Sequence, residues 1–243
     1  MRHFIVWLHG MARAYEAALS VPLHEQVSFD MLVPQMAEAE LQERVNRKTQ
    51  LCLRQSKLRY NAILEQVYCS AARNITSEQL IRLADEVFIQ RAENILITGA
   101  TGSGKSYLAC ALGRQACSLG YRVIYFGMNR FLEKVSQSKL DGTFITLLNQ
   151  IEKTHLLILD EFGLTPLDNI TRLAILQILE DRYGKKSTII TSQLPISKWY
   201  EFICGPRVLG ADVIMDRLPG NAHRIELKGE SLRIIKKEKT RKK

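Results

Sequence analysis

Residues Gly99 to Ser106 read Gly-Ala-Thr-Gly-Ser-Gly-Lys-Ser, a full match to G-x-x-x-x-G-K-[ST]. No other stretch restricts the fold as much, because such a loop works only where a strand ends and a helix begins. Glycines at 99, 102 and 104 let the backbone curl so that successive N–H groups point inward, a concavity suited to phosphate oxygens. Lys105 adds a point charge toward β and γ phosphates, and the Ser106 hydroxyl is a ligand type for Mg²⁺. The flanks agree. Asn94 to Thr98 (NILIT) is a short apolar run that reads as a strand, and Tyr107 to Cys117 reads as a helix whose N-terminus completes an anion site. Gly99, Ala100, Thr101, Gly102, Ser103, Gly104, Lys105, Ser106 and Tyr107 are the expected nucleotide-binding residues. A glycine-rich turn without a ligand is the plain alternative, and the ordered strand, loop, Lys, Ser and helix argue against it.

The residues around this loop form two layers of organisation. Between Gly10 and Ala72 there is no strand-like alternation, and Met31 to Val67 is rich in Leu, Gln, Glu, Arg and Ala at helical spacing. Thr76-Ser77-Glu78-Gln79 matches a capping box that starts a short helix through Leu83. From Asn94 on, strand and helix patterns alternate. Strands are expected at Tyr121 to Phe126, His155 to Asp160, Ser187 to Thr191 and Arg224 to Leu227. Helices are expected around Phe131 to Val135, Phe144 to Glu152, Leu173 to Tyr183, Ser197 to Ile203 and Val208 to Leu218. This alternation predicts an α/β fold with a doubly wound parallel sheet, preceded by an α-helical N-terminal region. The expected organisation is a helical N-terminal region at 1–75, a linker helix at 76–93, a nucleotide-binding core at 94–232 and a basic tail at 233–243.

A phosphate loop binds nucleotide without saying what happens to it. Leu156-Leu157-Ile158-Leu159-Asp160-Glu161 supplies a buried strand whose end projects Asp160 toward the metal held by Ser106. Glu161, one step on, is placed to polarise the attacking water as general base. A buried strand followed by an acidic turn is the plain alternative. At the end of the next strand, Thr191, Ser192 and Gln193 offer hydroxyls and an amide that could orient water or sense the γ phosphate. Spacing alone does not choose among them, and turn chemistry before Pro195 competes. Arg217, in Asp216-Arg217-Leu218, is either a solvated side chain or an arginine finger reaching a neighbouring subunit's γ phosphate. The expected catalytic set is thus Lys105, Glu161, Ser192, Gln193 and Arg217, with Ser106 and Asp160 as the Mg²⁺ ligands. No N-K-x-D signature for guanine follows the core strands, which favours ATP.

Charge points to a second ligand. Lys plus Arg number 34 against 25 acidic residues, a net charge of +9, and such an excess suits a polyanionic partner. Arg44, Arg47, Lys48, Arg54, Lys57 and Arg59 lie in one helical stretch with no acid among them, at spacings of four and seven that align much of the charge. Such a stripe gains affinity for duplex DNA by releasing counterions, through backbone rather than base contacts. A solvated helix face is the alternative. The chain's end, Lys-Lys-Glu-Lys-Thr-Arg-Lys-Lys, adds non-specific attraction. Five cysteines form no C-x-x-C pair and no Cys/His metal spacing, and the apolar run at residues 4–8 is too short for a signal or a span. A cytoplasmic protein with reduced cysteines and no membrane association is expected.

The phosphate loop through Cys110-Ala111-Leu112-Gly113, and then Leu157 to Gly163, resembles the IstB-like clade of AAA+ ATPases. So do Asp181-Arg182-Tyr183, Thr191 to Pro195, Trp199, Asp216-Arg217-Leu218 and the Leu227-Lys228-Gly229-Glu230-Ser231-Leu232-Arg233 ending. The likeness covers roughly residues 10 to 235. These ATPases assist the transposase of bacterial insertion sequences and are similar to replicative helicase loaders. The resemblance implies ATP-dependent homo-oligomers on duplex DNA, nucleotide at each subunit junction, a helical region that grips DNA, and recruitment of a cognate transposase to its target. It gives Arg217 the trans-acting role and leaves Arg233 as a further nucleotide or DNA contact. The clade often carries Asp where this chain has Glu161, and either carboxylate serves as base. About 16 residues follow Leu227, too few for the helical lid common in the wider superfamily. A helicase loader is the alternative reading, and a small-molecule kinase fits worse because no acceptor-binding lid is evident.

Overall fold

The computed structural model describes residues 7–22, 27–204, 218–229 and 231–232. The chain divides into two compact units, Met1–Arg54 and Gln55–Lys243. Among the described residues, no helix is long and apolar enough to cross a membrane.

The first unit is helical. Helix α1 spans His9–Leu19 and α2 spans Phe29–Ser56, the latter running two residues past the unit boundary. A helix leaves its first N–H groups without intrahelical partners. For α1, Glu40 of α2 fills part of that need: its Oε2 accepts from the Gly10 amide at 2.9 Å and from Met11 at 3.4 Å. Approach is close because position 10 has no side chain; a Cβ there would lie 2.3 Å from the Ala39 carbonyl oxygen. Arg44, 2.8 Å from Glu40 Oε1, and these two amides hold the Glu40 carboxyl below the ordinary range.

The helix expected through Val67 ends earlier. After Ser56 the chain turns through Lys57 in the left-handed region, φ +54, and continues with only two short 3₁₀ turns, Leu64–Gln66 and Ala71–Arg73. Tertiary partners override helical propensity here. Ala62 is fully buried, the Tyr60 ring lies 6.4 Å from that of Tyr107, and Asn61 accepts from Arg114. The capping box forms as expected, with Thr76 Oγ1 accepting from the Gln79 amide and Gln79 Oε1 from the Thr76 amide, and it opens α3, Ser77–Ala84. A short α4, Val87–Gln90, leads into the sheet.

Five parallel strands make that sheet: β1 Asn94–Gly99, β2 Val123–Gly127, β3 Leu156–Phe162, β4 Ser187–Ser192 and β5 Ala222–Leu227, in the order β2-β3-β4-β1-β5. Strands covered on both faces read as continuous apolar runs, and Ile95, Leu96, Ile97 and Leu156 to Leu159 are all at most 1% exposed. Helix α5, Lys105–Ser118, packs on β1, β3 and β4; α6, Met128–Leu140, α7, Phe144–Glu152, and α8, Asn169–Arg182, pack on one another. Asp168 caps α8, its Oδ1 accepting from the Thr171 amide at 2.7 Å. The expectation Ser197 to Ile203 resolves into a 3₁₀ turn, Ile196–Lys198, and α9, Trp199–Cys204. Trp199 is fully buried against Phe162, ring centroids 5.1 Å apart. Most of the helix expected at Val208 to Leu218 lies outside the described residues.

Arg182 closes the opposite end of the sheet. Its guanidinium, 2% exposed, donates to the carbonyls of Ile151, Thr154, His155 and Ser187 and to the Thr154 and Thr188 hydroxyls. Burial without a carboxylate partner pushes its pKa down, and the carbonyl dipoles offset part of that cost.

Candidate active site

In an open α/β sheet, ligands collect beyond the carboxyl ends of strands where the strand order reverses. Here β1 stands between β4 and β5, and the chain leaves β1 to return at the far edge as β2, with β3 and β4 lying between them, so the ends of β1, β3 and β4 face one region. Gly102 and Gly104 carry φ of +82 and +93, the left-handed conformations that a curled phosphate loop demands. At Gly102 space is also short. A Cβ would stand 2.1 Å from the Ser231 hydroxyl, and the Leu232 amide donates to the Gly102 carbonyl at 3.0 Å.

Within the loop, Lys105 is 8% exposed and its Nζ donates to the carbonyls of Gly99 and Ala100, each at 2.8 Å. Among the described residues Ser103 keeps a buried hydroxyl without a hydrogen-bond partner, and Arg73, which donates to the Ser103 carbonyl, keeps a buried Nε likewise unmatched. Buried polar atoms are seldom left so. Two orphans beside a loop whose glycines hold left-handed backbone mark an environment fitted to an anionic ligand. The residues present therefore fit a nucleotide phosphate. Tyr107 turns its hydroxyl to Gln66 Oε1, 2.9 Å away, so its side chain engages the 60–66 segment while its backbone stays in the first turn of α5.

The end of β3 holds the acids. Leu159 pairs with Ile190 and Phe162 with Ser192, so Asp160 and Glu161 together oppose the single residue Thr191. This is a β-bulge, and Glu161 accommodates it at φ +65. For a residue with a Cβ that conformation is costly and persists where the surroundings impose it, often at functional sites. Bulging separates the two acids. Asp160 is fully buried, whereas the Glu161 side chain is 42% exposed.

Three hydroxyls converge on Asp160. Ser106 Oγ donates to Oδ1 at 2.8 Å, Thr191 Oγ1 donates to the same oxygen, and the Tyr125 phenol donates to Oδ2 at 2.5 Å. Thr191 Oγ1 also accepts from the Glu161 amide at 3.1 Å, so one side chain fixes both acids. The Ser106–Asp160 pair is a hydroxyl and a carboxylate in hydrogen-bond contact. A Mg²⁺ that takes its remaining ligands from phosphates and water needs no denser set of acids.

Of the three candidates ending β4, each does something different. Thr191 reaches Asp160. Ser192 is buried and turned back, donating to the Phe162 carbonyl at 2.7 Å and accepting from the Leu194 amide at 3.0 Å. Its hydroxyl thus ties the end of β3 to the turn that follows β4. Gln193 is exposed, and its Oε1 accepts from the Thr101 hydroxyl of the phosphate loop at 2.7 Å.

The basic stripe divides. Arg44, Arg47, Lys48 and Arg54 are exposed on α2, with Arg44 paired to Glu40 and Arg47 lining a cleft that also holds Arg13, Glu16 and Glu43. Lys57 and Arg59 follow the helix and leave its face. Arg59 Nη1 lies 2.8 Å from Glu161 Oε1 and 3.6 Å from Asp160 Oδ2, a placement that the charge pattern did not suggest. The Glu161 hydrogen bond raises the Arg59 guanidinium further above its already high value. Arg217 and Arg233 lie outside the described residues.

The model of the "IstB-like ATP binding protein" family matches residues 5–240. The insertion sequence ATP-binding protein y4pL of Sinorhizobium fredii is 41% identical, over 96% of this chain and 94% of its own. The IS21 ATP-binding protein of Pseudomonas aeruginosa is 30% identical, over 92% of this chain and 84% of its own. In three dimensions the DnaC helicase loader superposes with a TM-score of 0.57 at 21% identity, over 70% of this chain and 98% of its own, a likeness of fold. The chain belongs to the IstB-like ATP-binding protein family, with its phosphate loop set on a five-stranded parallel sheet.

Proposed function

We propose that this protein is a Mg²⁺-dependent ATPase that assembles with ATP on duplex DNA and assists a cognate transposase in choosing its target site. The observation that carries the hydrolytic part is the bulge at the end of β3, which buries Asp160 against Ser106 while leaving Glu161 partly exposed beside it. Lys105 and the loop amides bind the phosphates, and Ser106 with Asp160 holds the metal. A Mg²⁺ held by Ser106 and Asp160 would supply charge neutralisation for the transferring phosphate. Glu161 takes the proton of the attacking water. Gln193, in contact with Thr101, orients that water or reads the γ phosphate. Arg217 acts on the nucleotide of the next subunit, so each site is completed by a neighbour. Helix α2, through Arg44, Arg47, Lys48 and Arg54, contacts the DNA backbone. The family membership and the insertion-sequence relatives support the transposase as partner.

A second reading, a replicative helicase loader, is favoured by the fold shared with DnaC. Electron microscopy of the protein on long duplex DNA with ATP tests the first. Ordered assemblies on DNA are expected, and monomers at saturating ATP refute it. Arg217→Ala should abolish turnover while sparing ATP binding; equal loss of both means a structural role for that arginine. Stimulation by a purified replicative helicase, with none by duplex DNA, selects the loader.

A further inference from the structure

Arg59 is the one member of the basic stripe that reaches the acids of β3. A single guanidinium spans both carboxylates, 2.8 Å from Glu161 Oε1 and 3.6 Å from Asp160 Oδ2. A general base acts through a carboxylate lone pair directed at water. A carboxylate oxygen that accepts from a guanidinium is turned toward that partner, and the lone pair it uses is not directed at water. Arg59 is itself held in place. Its guanidinium lies over the Tyr60 ring, 5.4 Å from the centroid, and that ring neighbours Tyr107 on α5. Three residues upstream, α2 ends at Ser56, and Lys57 reverses the chain at φ +54.

We propose that Arg59 is a positioning residue that holds the Glu161 carboxylate away from the attacking water until the site is filled, so that turnover waits on Arg59 changing partners. This rests on the reading of Glu161 as the base. The guanidinium stands close enough to Asp160 that a second cation there would repel it, which gives the exchange a physical cause. The segment that carries Arg59 begins where the basic helix ends, so a pull on α2 acts on Arg59 through two intervening residues, Lys57 and Leu58.

The test uses the full chain with Arg59→Ala and Arg59→Lys. ATP turnover is measured with and without duplex DNA, alongside thermal melting and binding of a fluorescent ATP analogue across a Mg²⁺ titration. Arg59→Ala is expected to raise the DNA-independent kcat about fivefold, the scale of one partly exposed ion pair, with KM unchanged. Arg59→Lys should stay near the wild-type value, since an ammonium still pairs with Glu161. The analogue should bind Arg59→Ala at about threefold lower Mg²⁺, because the cation beside Asp160 is gone. In a Glu161→Gln background, Arg59→Ala should add nothing to turnover. A folded Arg59→Ala protein whose kcat falls or does not change overturns the proposal. A wild-type protein that binds the analogue but never hydrolyses ATP, even on DNA, removes the ATPase reading and this role with it. Wild-type turnover matched by Arg59→Ala removes the role alone.

Discussion

The Tyr125 phenol donates to Oδ2 of Asp160 at 2.5 Å, from a β2 strand whose other inward residues are hydrocarbon. Burial, followed by the Asp160 bond, raises the phenol above its ordinary pKa, which keeps it a donor. Tyr125→Phe leaves the ring and removes the donor, so one buried carboxylate oxygen loses its partner. Loss of about 1 to 3 kcal/mol of stability is expected in urea titrations, from the cost of an unmatched buried acceptor. If Asp160 also holds the metal, the Mg²⁺ needed for half-maximal nucleotide binding shifts several-fold.

Arg182 makes a different demand. Its planar fork meets four carbonyls and two hydroxyls at once, and an ammonium presents three donors from a single point. Arg182→Lys is therefore a severe change, costing on the order of 3 kcal/mol by leaving buried carbonyls unmet. Chemical denaturation checks it. The site lies at the other end of the strands, so nucleotide affinity should be retained below the unfolding midpoint.

Asp168 gives a prediction with a pH signature. The Thr171 side chain, then its amide, holds the Asp168 carboxyl below its ordinary value. A depressed carboxylate contributes stability that is present above the unfolded pKa, about 3.9, and is lost as pH falls through the folded value. Asp168→Ala should cost about 1 kcal/mol at neutral pH, as N-cap losses do. Melting curves of the two proteins should draw together as pH falls below the unfolded value and converge below the lowered folded one. A gap that persists there would assign the effect to packing instead.

Much of this site was legible in the sequence because its parts are local. The phosphate loop needs eight consecutive residues, and Asp160 closes an apolar run, so both stand out without knowledge of the fold. The capping box at Thr76 is local in the same way. What escaped depends on pairing between distant strands. The bulge exists only because Phe162 aligns with Ser192, and that register decides that Thr191 reaches Asp160 while Ser192 turns back. Tyr125 left one faint mark, a lone hydroxyl in the run Val123 to Gly127. Arg59 left a misleading one. Its charge continued a basic pattern, while the stop at Ser56 carries neither Gly nor Pro.

The remaining stripe yields a graded expectation for DNA binding. Arg47→Ala and Lys48→Ala should each weaken affinity across all sequences and lower the slope of log affinity against log salt by about 1. Arg44→Ala should do less, because its guanidinium is already engaged with Glu40. Equal losses at all three positions would show that the Glu40 pair does not hold Arg44 back from the DNA, and unchanged affinities with slopes that do not move would place the DNA elsewhere on the protein. Fluorescence anisotropy at several salt concentrations separates these outcomes.

Glu161 holds a left-handed backbone, φ +65, that costs a residue with a Cβ about 1 kcal/mol relative to glycine. Its ion pair with Arg59 is partly exposed and offsets less than that. Glu161→Gly should therefore stabilise the fold, by about 0.5 kcal/mol, while removing the carboxylate proposed as the general base. Glu161→Gln, which keeps the strained backbone and loses only the charge, is the control: turnover should vanish there too, without any gain in melting temperature. If Glu161→Gly melts lower than Glu161→Gln, the bulge is held by the side chain rather than imposed by the pairing of Phe162 with Ser192. In that case the acid would shape the loop as well as serve in it.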